Sequence, residues 1–144
     1  MPIYQCSSHR GLLTDGMKAD IAKAITDAHV EATGAPAAFV HVYFNELPAG
    51  VSYSAGQPDT TISGIQGAIR AGRTLGVKQK LLQRITDAWS SITGQPAKQV
   101  LAGLTEIDSD VTMEYGLILP HPGDEPQWFA DNADKLDGIT GTGL

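Results

Sequence analysis

The sequence predicts an α+β or α/β fold in which a β-α-β unit occurs twice and forms one four-stranded sheet with two helices on one face. Three observations support this fold. The segments ITDAHVEATGAPAAFVHVYFNE from Ile25 and ITDAWSSITGQPAKQVLAGLTE from Ile85 align without a gap at an offset of 60 residues, and 14 of the 37 positions from 10 to 46 are identical to their partners. Each copy carries apolar residues at helical spacing. Strand-like runs flank both helical segments.

The first copy begins with a strand-like run at residues 3–7. Thr14 is a candidate helix N-cap, because its hydroxyl can accept a hydrogen bond from a free N–H of the first turn. Gly34 is suited to the positive φ that follows a helix, and Pro36 prevents the helix from continuing. Residues 39–44 are the second predicted strand. The apolar face of the predicted helix consists of Met17, Ile21, Ala24, Ile25 and Ala28.

The second copy repeats these signals 60 residues later. Its predicted strands are residues 61–69, a run weakened by two glycines, and residues 99–104. Thr74 is the matching N-cap, and Gly94 and Pro96 end the helix. Two strands of one sheet joined through a helix are parallel, with a right-handed crossover. The apolar helical face consists of Val77, Leu81, Ile85, Ala88 and Trp89.

The length of 144 residues predicts a single domain, residues 1–144. We divide it into a first unit with its linker (1–59), a second unit (60–116) and a C-terminal extension (117–144), whose glycine-rich end DGITGTGL we expect to be mobile. Two helices cover only one face of the sheet. A symmetric oligomer that packs its sheets inward would cover the other face, so we expect oligomerisation.

Composition and charge exclude several classes of protein. The net charge of −6 argues against a nucleic-acid binder, and no apolar run is long enough for a membrane span. The N-terminus lacks the apolar region of a secretion signal, so we expect a cytoplasmic protein. A single cysteine, Cys6, excludes an internal disulfide. No acidic residue occurs between Asp59 and Asp87, a window that contains Arg70 and Arg73. The charge distribution therefore excludes a polyanionic partner but not a small carboxylate ligand.

Differences between the two copies indicate candidate functional residues. His29 aligns with Trp89, and Arg73 aligns with Leu13. Arg70 and Arg73 follow a predicted strand and precede a predicted helix, a spacing that suits a carboxylate clamp because a guanidinium pairs bidentately with a carboxylate. The alternative for His29 is a half-buried residue at a helix end whose ring is hydrogen-bonded within the protein. The alternative for Arg70 and Arg73 is a pair of surface cations near a helix start.

Pro2 is a further candidate. Removal of Met1, which is usual before proline, would leave a secondary amine that can act as a nucleophile, a base or, when protonated, an acid. Burial and nearby arginines would lower the pKa of that amine. Many proteins begin Met-Pro without any catalytic role for the proline, so this feature is informative only in combination with the others.

In combination these features resemble the tautomerase superfamily, and within it the cis-3-chloroacrylic acid dehalogenase family. The resemblance rests on the Pro-Ile-Tyr start, the tandem repeat and the arginine pair. It extends from residue 2 to about residue 129. The segments that carry it are AKAITDAH (22–29), FNELPAG (44–50), IRAGRT (69–74), MEYGLILPHPG (113–123) and QWF (127–129).

The resemblance implies a homotrimer with an inner barrel of three sheets. It implies that Pro2 is a general acid, that His29, Arg70 and Arg73 hold and polarise a substrate carboxylate, and that Glu114 activates a water molecule. The implied reaction is hydration of a 3-haloacrylate to malonate semialdehyde with loss of halide, accompanied by enol–keto tautomerisation. No metal or organic cofactor is implied. From the residues alone, Glu114 could instead be an exposed acid or could accept hydrogen bonds from backbone N–H groups.

One departure from the family lies eleven residues before Glu114, where the dehalogenases have a tyrosine and this chain has Gly103. The partner of Gly103 in the repeat is Tyr43. We therefore expect tautomerase or hydratase chemistry with weak or absent dehalogenation. The alternative is a non-catalytic trimeric module that binds small carboxylates or a partner, especially if Met1 is retained.

Overall fold

A computed structural model describes residues 1–139, so part of the predicted mobile end, residues 140–144, lies outside the described residues. The first unit consists of β1 (Pro2–His9), α1 (Asp15–Thr33) and β2 (His41–Leu47). A short hairpin follows, made of β3 (Tyr53–Ser54) and β4 (Gln57–Pro58). The second unit consists of β5 (Ser63–Arg70), α2 (Leu75–Thr93) and β6 (Val100–Ile107). The C-terminal extension contains β7 (Met113–Glu114), β8 (Leu117–Ile118), α3 (Glu125–Asp131) and α4 (Ala133–Leu136).

Both predicted helices begin and end as expected. The Thr14 hydroxyl accepts a 3.1 Å hydrogen bond from the backbone N–H of Met17, and the Thr74 hydroxyl accepts the equivalent bond. Gly34 and Gly94 follow the two helices with φ of 74° and 75°. These signals are local and occur at equivalent positions, so the two 19-residue helices are equivalent in length and in capping.

The four long strands form one sheet in the order β2-β1-β5-β6. β1 is parallel to β2 and β5 is parallel to β6, as predicted for two β-α-β units, while β1 and β5 pair antiparallel in the centre. This central pair relates the two units by an approximate twofold axis. It also sets Pro2 opposite Ile69, so the N-terminus of the chain lies beside the end of β5.

The helices cover one face of the sheet, as predicted. Tyr4 and Cys6 of β1 and Ile65 and Ile69 of β5 are buried against α1 and α2. On the opposite face Tyr43 is 53% exposed, and Leu101 is also exposed. The buried side chains that the helices contribute are Ile21, Ile25, Ala28, His29, Leu81, Ile85 and Trp89.

The second predicted strand of the first unit begins later than residue 39. Residues Ala37–Phe39 form a single 3₁₀ turn in which the Phe39 N–H donates to the Pro36 carbonyl at 3.0 Å, and the strand begins at His41. Phe39 is instead buried in a second apolar cluster with Leu119 and Leu136. This cluster attaches the C-terminal extension to the first unit. Within residues 1–139, no helix is both long and apolar enough to cross a membrane.

Candidate functional site

A cavity of about 410 Å³ lies where the chain N-terminus, the end of α1, the segment after β5 and the C-terminal extension meet. Apolar side chains form much of its wall, and the cationic groups come from the ends of secondary-structure elements. Its lining includes Met1, His29, Thr33, Pro36, Phe39, Ile69, Arg70, Arg73, Leu119, Pro120, Glu125, Trp128 and Phe129.

The N-terminus occupies one wall of this cavity. Pro2 is buried as the first residue of β1, and Met1 packs against the Phe39 cluster. The Met1 ammonium pairs with the carboxylate of Glu114. Burial lowers the pKa of this ammonium, Glu114 opposes the shift, and Arg70 adds to it. While Met1 is attached, the Pro2 nitrogen is an amide, and the amine at the cavity belongs to Met1.

His29 lies on the buried face of α1 and lines the cavity. It is 3% exposed, and its Nδ1 is 2.8 Å from the Tyr4 hydroxyl. Burial lowers the pKa of His29 to about 4, with further contributions from Arg73 and the N-terminal charge. The imidazole is therefore neutral near pH 7, and it can hydrogen-bond a ligand without carrying a charge. The sequence left open a helix-end histidine whose ring has a hydrogen-bond partner inside the protein. The Tyr4 hydroxyl is such a partner, and the ring also lines the cavity.

The two arginines have different surroundings. Arg70, the last residue of β5, donates a 2.8 Å hydrogen bond to the Pro120 carbonyl and pairs with the carboxylate of Glu125. Arg73 is partly buried; burial and Arg70 lower its pKa, while Glu125 opposes the shift. Among residues 1–139, Arg73 has no ion-paired carboxylate. Its guanidinium is therefore the cation available to a ligand in the cavity.

Gly72, between the two arginines, brings this segment against the C-terminal extension. Its φ is 110°, and a Cβ built on it would lie 2.7 Å from the Pro122 side chain. Only glycine tolerates both this backbone conformation and this close approach. The IRAGRT segment thus packs directly on the PHPG segment, which closes that side of the cavity.

Glu114 is held by a tight turn. It pairs with Leu117 in the β7–β8 hairpin, and the two turn residues, Tyr115 and Gly116, have φ of 51° and 79°. Positive φ at both central positions is typical of a type I′ hairpin. The Glu114 side chain is only 8% exposed, and one of its oxygens bonds to His41 Nε2. Glu114 is therefore a buried, doubly paired carboxylate and not an exposed acid.

The structure brings Met1, His29, Arg70 and Arg73 to one cavity. Neither Pro2 nor Glu114 is among the residues that line it; Pro2 follows Met1 in the chain, and Glu114 pairs with the Met1 ammonium. Sequence reasoning did not single out His41 or Glu125. His41 aligns with Leu101 at the offset of 60. It therefore differs from its repeat partner, and this is the same kind of difference that selected His29. Tyr43, the repeat partner of Gly103, lies on the exposed face of the sheet instead of in the cavity wall.

The internal repeat produces a second cavity, of about 510 Å³, around the equivalent elements of the other unit. Its chemistry differs. Trp89, which aligns with His29, does not line this cavity; its ring N–H donates to Gln95, which does, at 2.8 Å. Leu13 stands at the position of Arg73, and Thr61 stands where the first cavity has the chain terminus. The second cavity is lined by His9 and Arg10, but it has no equivalent of the terminal amine, of His29 or of Arg73.

Comparison with known proteins gives consistent similarities. The chain matches the Tautomerase_3 family, described as "Putative oxalocrotonate tautomerase enzyme", over residues 1–133. It is similar to the crystal structure of N1, a member of the cis-3-chloroacrylic acid dehalogenase family, with a TM-score of 0.83, 36% identity, and coverage of 89% of this chain and 90% of that chain. It is also similar to a symmetric trimer of wild-type Q0 fused 4-OT, with a TM-score of 0.73, 28% identity, and coverage of 81% and 94%.

A curated relative, a probable tautomerase of Lactococcus lactis subsp. lactis (strain IL1403), is 48% identical over 40 residues. The match covers 28% of this chain and 66%, just under two thirds, of that relative.

Proposed function

The chain belongs to the tautomerase superfamily, as a member of the Tautomerase_3 family, and on that premise we propose that it is an enzyme for small unsaturated or 2-oxo carboxylates. The proposed catalytic amine is that of Pro2, which becomes the N-terminus when Met1 is removed. The observation that carries the proposal is the convergence in one cavity of the chain terminus, neutral His29 and Arg73, which makes no ion pair with residues 1–139.

Substrate binding rests on charge and hydrogen bonding. The guanidinium of Arg73 pairs with the substrate carboxylate, and neutral His29 hydrogen-bonds to the same group or to a 2-oxo oxygen. Arg70 lies in the same wall and adds positive potential although Glu125 holds it. Negative charge that develops toward the carboxylate during reaction is stabilised by these fixed groups. Apolar wall residues, including Phe39 and Trp128, accommodate the body of the substrate.

Tautomerisation requires one group that takes and returns a proton. For an enol such as that of phenylpyruvate, the Pro2 amine removes the hydroxyl proton, and the resulting ammonium delivers a proton to carbon. The same burial and the same Arg70 that lower the pKa of the Met1 ammonium would act on a terminal Pro2 ammonium. With a pKa nearer neutrality, the amine can both take a proton as a base and give one back as an acid.

Hydration requires Glu114 as well. Glu114 takes a proton from water, and the water oxygen bonds to the carbon distant from the carboxylate while the carbon–carbon π bond breaks. The Pro2 ammonium donates its proton to the carbon next to the carboxylate, and the Glu114 proton returns to the amine through solvent. With a 3-haloacrylate the product is a halohydrin, which loses halide and a proton to give malonate semialdehyde. Gly103 has no side chain to assist Glu114, so we expect weak or absent dehalogenation.

The test begins with intact-mass measurement of the protein, to establish whether Met1 is absent. Met1-free protein is then assayed with phenylpyruvate enol, cis-3-chloroacrylate and propynoate, beside Pro2→Ala and Arg73→Ala. Arg10→Ala is the matched control, because Arg10 is the repeat equivalent of Arg70 and lines the second cavity. We expect large losses in the first two variants and none in the control. Equal rates in all four proteins would contradict the proposal.

A second candidate function is a non-catalytic carboxylate-binding module. The observation that favours it is the pairing of the Met1 ammonium with Glu114, with the Met1 side chain in the cavity wall. In that state no proline amine exists. Full retention of Met1 in protein purified from its native source, together with binding of a small carboxylate and no turnover, would favour this module over the enzyme.

We also propose that the chain forms a homotrimer. The support is the exposed sheet face and the similarity to Q0 fused 4-OT, whose structure is described as a symmetric trimer. Light scattering coupled to size-exclusion chromatography measures the mass, and a monomeric mass at micromolar concentration would contradict the trimer. The cytoplasmic location predicted from the sequence stays a prediction.

A further inference from the structure

The two oxygens of Glu114 have different partners. Oε1 bonds to His41 Nε2. Oε2 is buried, and within residues 1–139 it has no hydrogen-bond donor other than its ion-pair partner, the Met1 ammonium. Removal of Met1 would therefore free Oε2 at the chain terminus and leave the contact between Oε1 and His41 intact.

Backbone geometry holds both sides of the His41–Glu114 contact. His41 is the first residue of β2, and it pairs in register with Ile3, next to the chain terminus. Glu114 directly precedes the Tyr115–Gly116 turn, and the Tyr115 hydroxyl donates to the Ala38 carbonyl, just before β2. The hairpin is thereby attached to the segment that carries His41.

The surroundings of His41 suit a supporting role. Its side chain is 34% exposed, and it does not line the cavity. Its ring centroid lies 6.4 Å from that of Tyr115, with the planes at 56°. The contact that connects His41 to the site therefore runs through the carboxylate of Glu114, which pairs with the cavity residue Met1.

From this geometry we propose that His41 is a positioning residue for Glu114. Its Nε2–H donates to Oε1 and fixes the carboxylate plane, so that Oε2 points to the chain terminus and to the water that Glu114 deprotonates. The inference rests on the proposed function, of which it concerns only the hydration step. Tautomerisation needs the Pro2 amine and not Glu114, so the two reactions respond differently to the loss of His41.

The test uses Met1-free protein and three variants: His41→Leu, which removes the donor; His41→Gln, whose amide can donate to Oε1; and His121→Leu. The last is a matched control, because His121 forms an exposed histidine–carboxylate pair with Asp110 at 3.1 Å, outside the cavity. Values of kcat and KM are measured for propynoate hydration and for phenylpyruvate tautomerisation.

We expect His41→Leu to lower kcat for hydration by about tenfold or more, which is a fraction of the usual contribution of a general base. The KM for hydration and the kcat and KM for tautomerisation should stay within about twofold of the values for the unchanged protein. His41→Gln should recover most of the lost rate, and His121→Leu should change neither reaction. An amide-specific recovery would not arise from a merely structural role.

The outcomes separate the two proposals. Unchanged hydration in His41→Leu, or equal losses of hydration and tautomerisation, overturns the role of His41 while the proposed function stands. Tautomerisation without any hydration in the unchanged protein also overturns it, because no hydration step exists for His41 to support. Absence of both reactions in Met1-free protein contradicts the proposed function itself.

Discussion

The guanidinium of Arg70 is already engaged by the carboxylate of Glu125, whereas Arg73, three residues later, has no ion-paired carboxylate among residues 1–139. The sequence presents these arginines as an equivalent pair. In the structure Arg70 holds the C-terminal extension to the end of β5, whereas Arg73 lines the cavity and is influenced by Glu125 without pairing with it.

Arg73→Ala should weaken binding of a small carboxylate by about 10- to 100-fold, the loss of one charge-assisted hydrogen bond. Calorimetric titration with malonate measures the effect. Stability should change little, because Arg73 makes no ion pair within the described part of the chain. The control is Arg10→Ala, in the second cavity. Equal affinity in Arg73→Ala and Arg10→Ala would show that Arg73 does not bind the ligand.

Glu125→Gln should remove an acid-sensitive part of the stability. Burial raises the pKa of Glu125, but backbone N–H groups, including that of Gly123, and the Arg70 guanidinium outweigh it and hold the pKa below its usual value. Such a depressed pKa contributes stability above the unfolded-state pKa near 4.5, and this stability is lost as pH falls through the folded-state pKa.

The expected difference in the free energy of unfolding at pH 7 is about 1 kcal/mol or less, since Glu125 is partly exposed and screened. Urea unfolding at pH 7 and pH 3 measures it for both proteins. The variant should have the weaker dependence on pH. Identical dependence in the two proteins would mean that the Arg70–Glu125 pair contributes no acid-sensitive stability.

His29 should stay neutral far below the usual range for histidine. Its pKa of about 4 lies below the unfolded value of 6.5, so its contribution to stability is fully present above pH 6.5 and is lost as pH falls toward 4. Nuclear magnetic resonance of the imidazole in Met1-free protein should show no titration between pH 8 and 5.5. A midpoint near 6.5 would contradict the buried, neutral state.

Gly72→Ala should destabilise the protein by about 1–3 kcal/mol, because the new Cβ meets Pro122 and the backbone conformation is unfavourable for alanine. It should also weaken carboxylate binding, since the arginine segment must shift. The matched control is Gly76→Ala, where a Cβ in the first turn of α2 meets nothing within 4 Å. Thermal unfolding should show that the control is unchanged or more stable by up to about 1 kcal/mol.

The elements that were predicted correctly are those with local signals. The capping threonines, the glycines after the helices and the period-60 repeat act over a few residues or recur identically, so they appear directly in the chain. The start of β2 was predicted two residues too early, because Pro36 begins a 3₁₀ turn that buries Phe39 against the C-terminal extension. No residue near Phe39 in the sequence indicates that partner.

By itself, the sequence determined two β-α-β units, their helix ends, the parallel pairing within each unit and an arginine segment free of acids. Only the tertiary structure decided which of the two cavities contains the chain terminus, that Glu125 engages Arg70, and that His41 contacts Glu114. The reason is physical. Periodicity and capping report interactions between near neighbours, whereas these two side-chain contacts join residues 55 and 73 positions apart. They are brought together by the antiparallel β1–β5 pair and the folded extension.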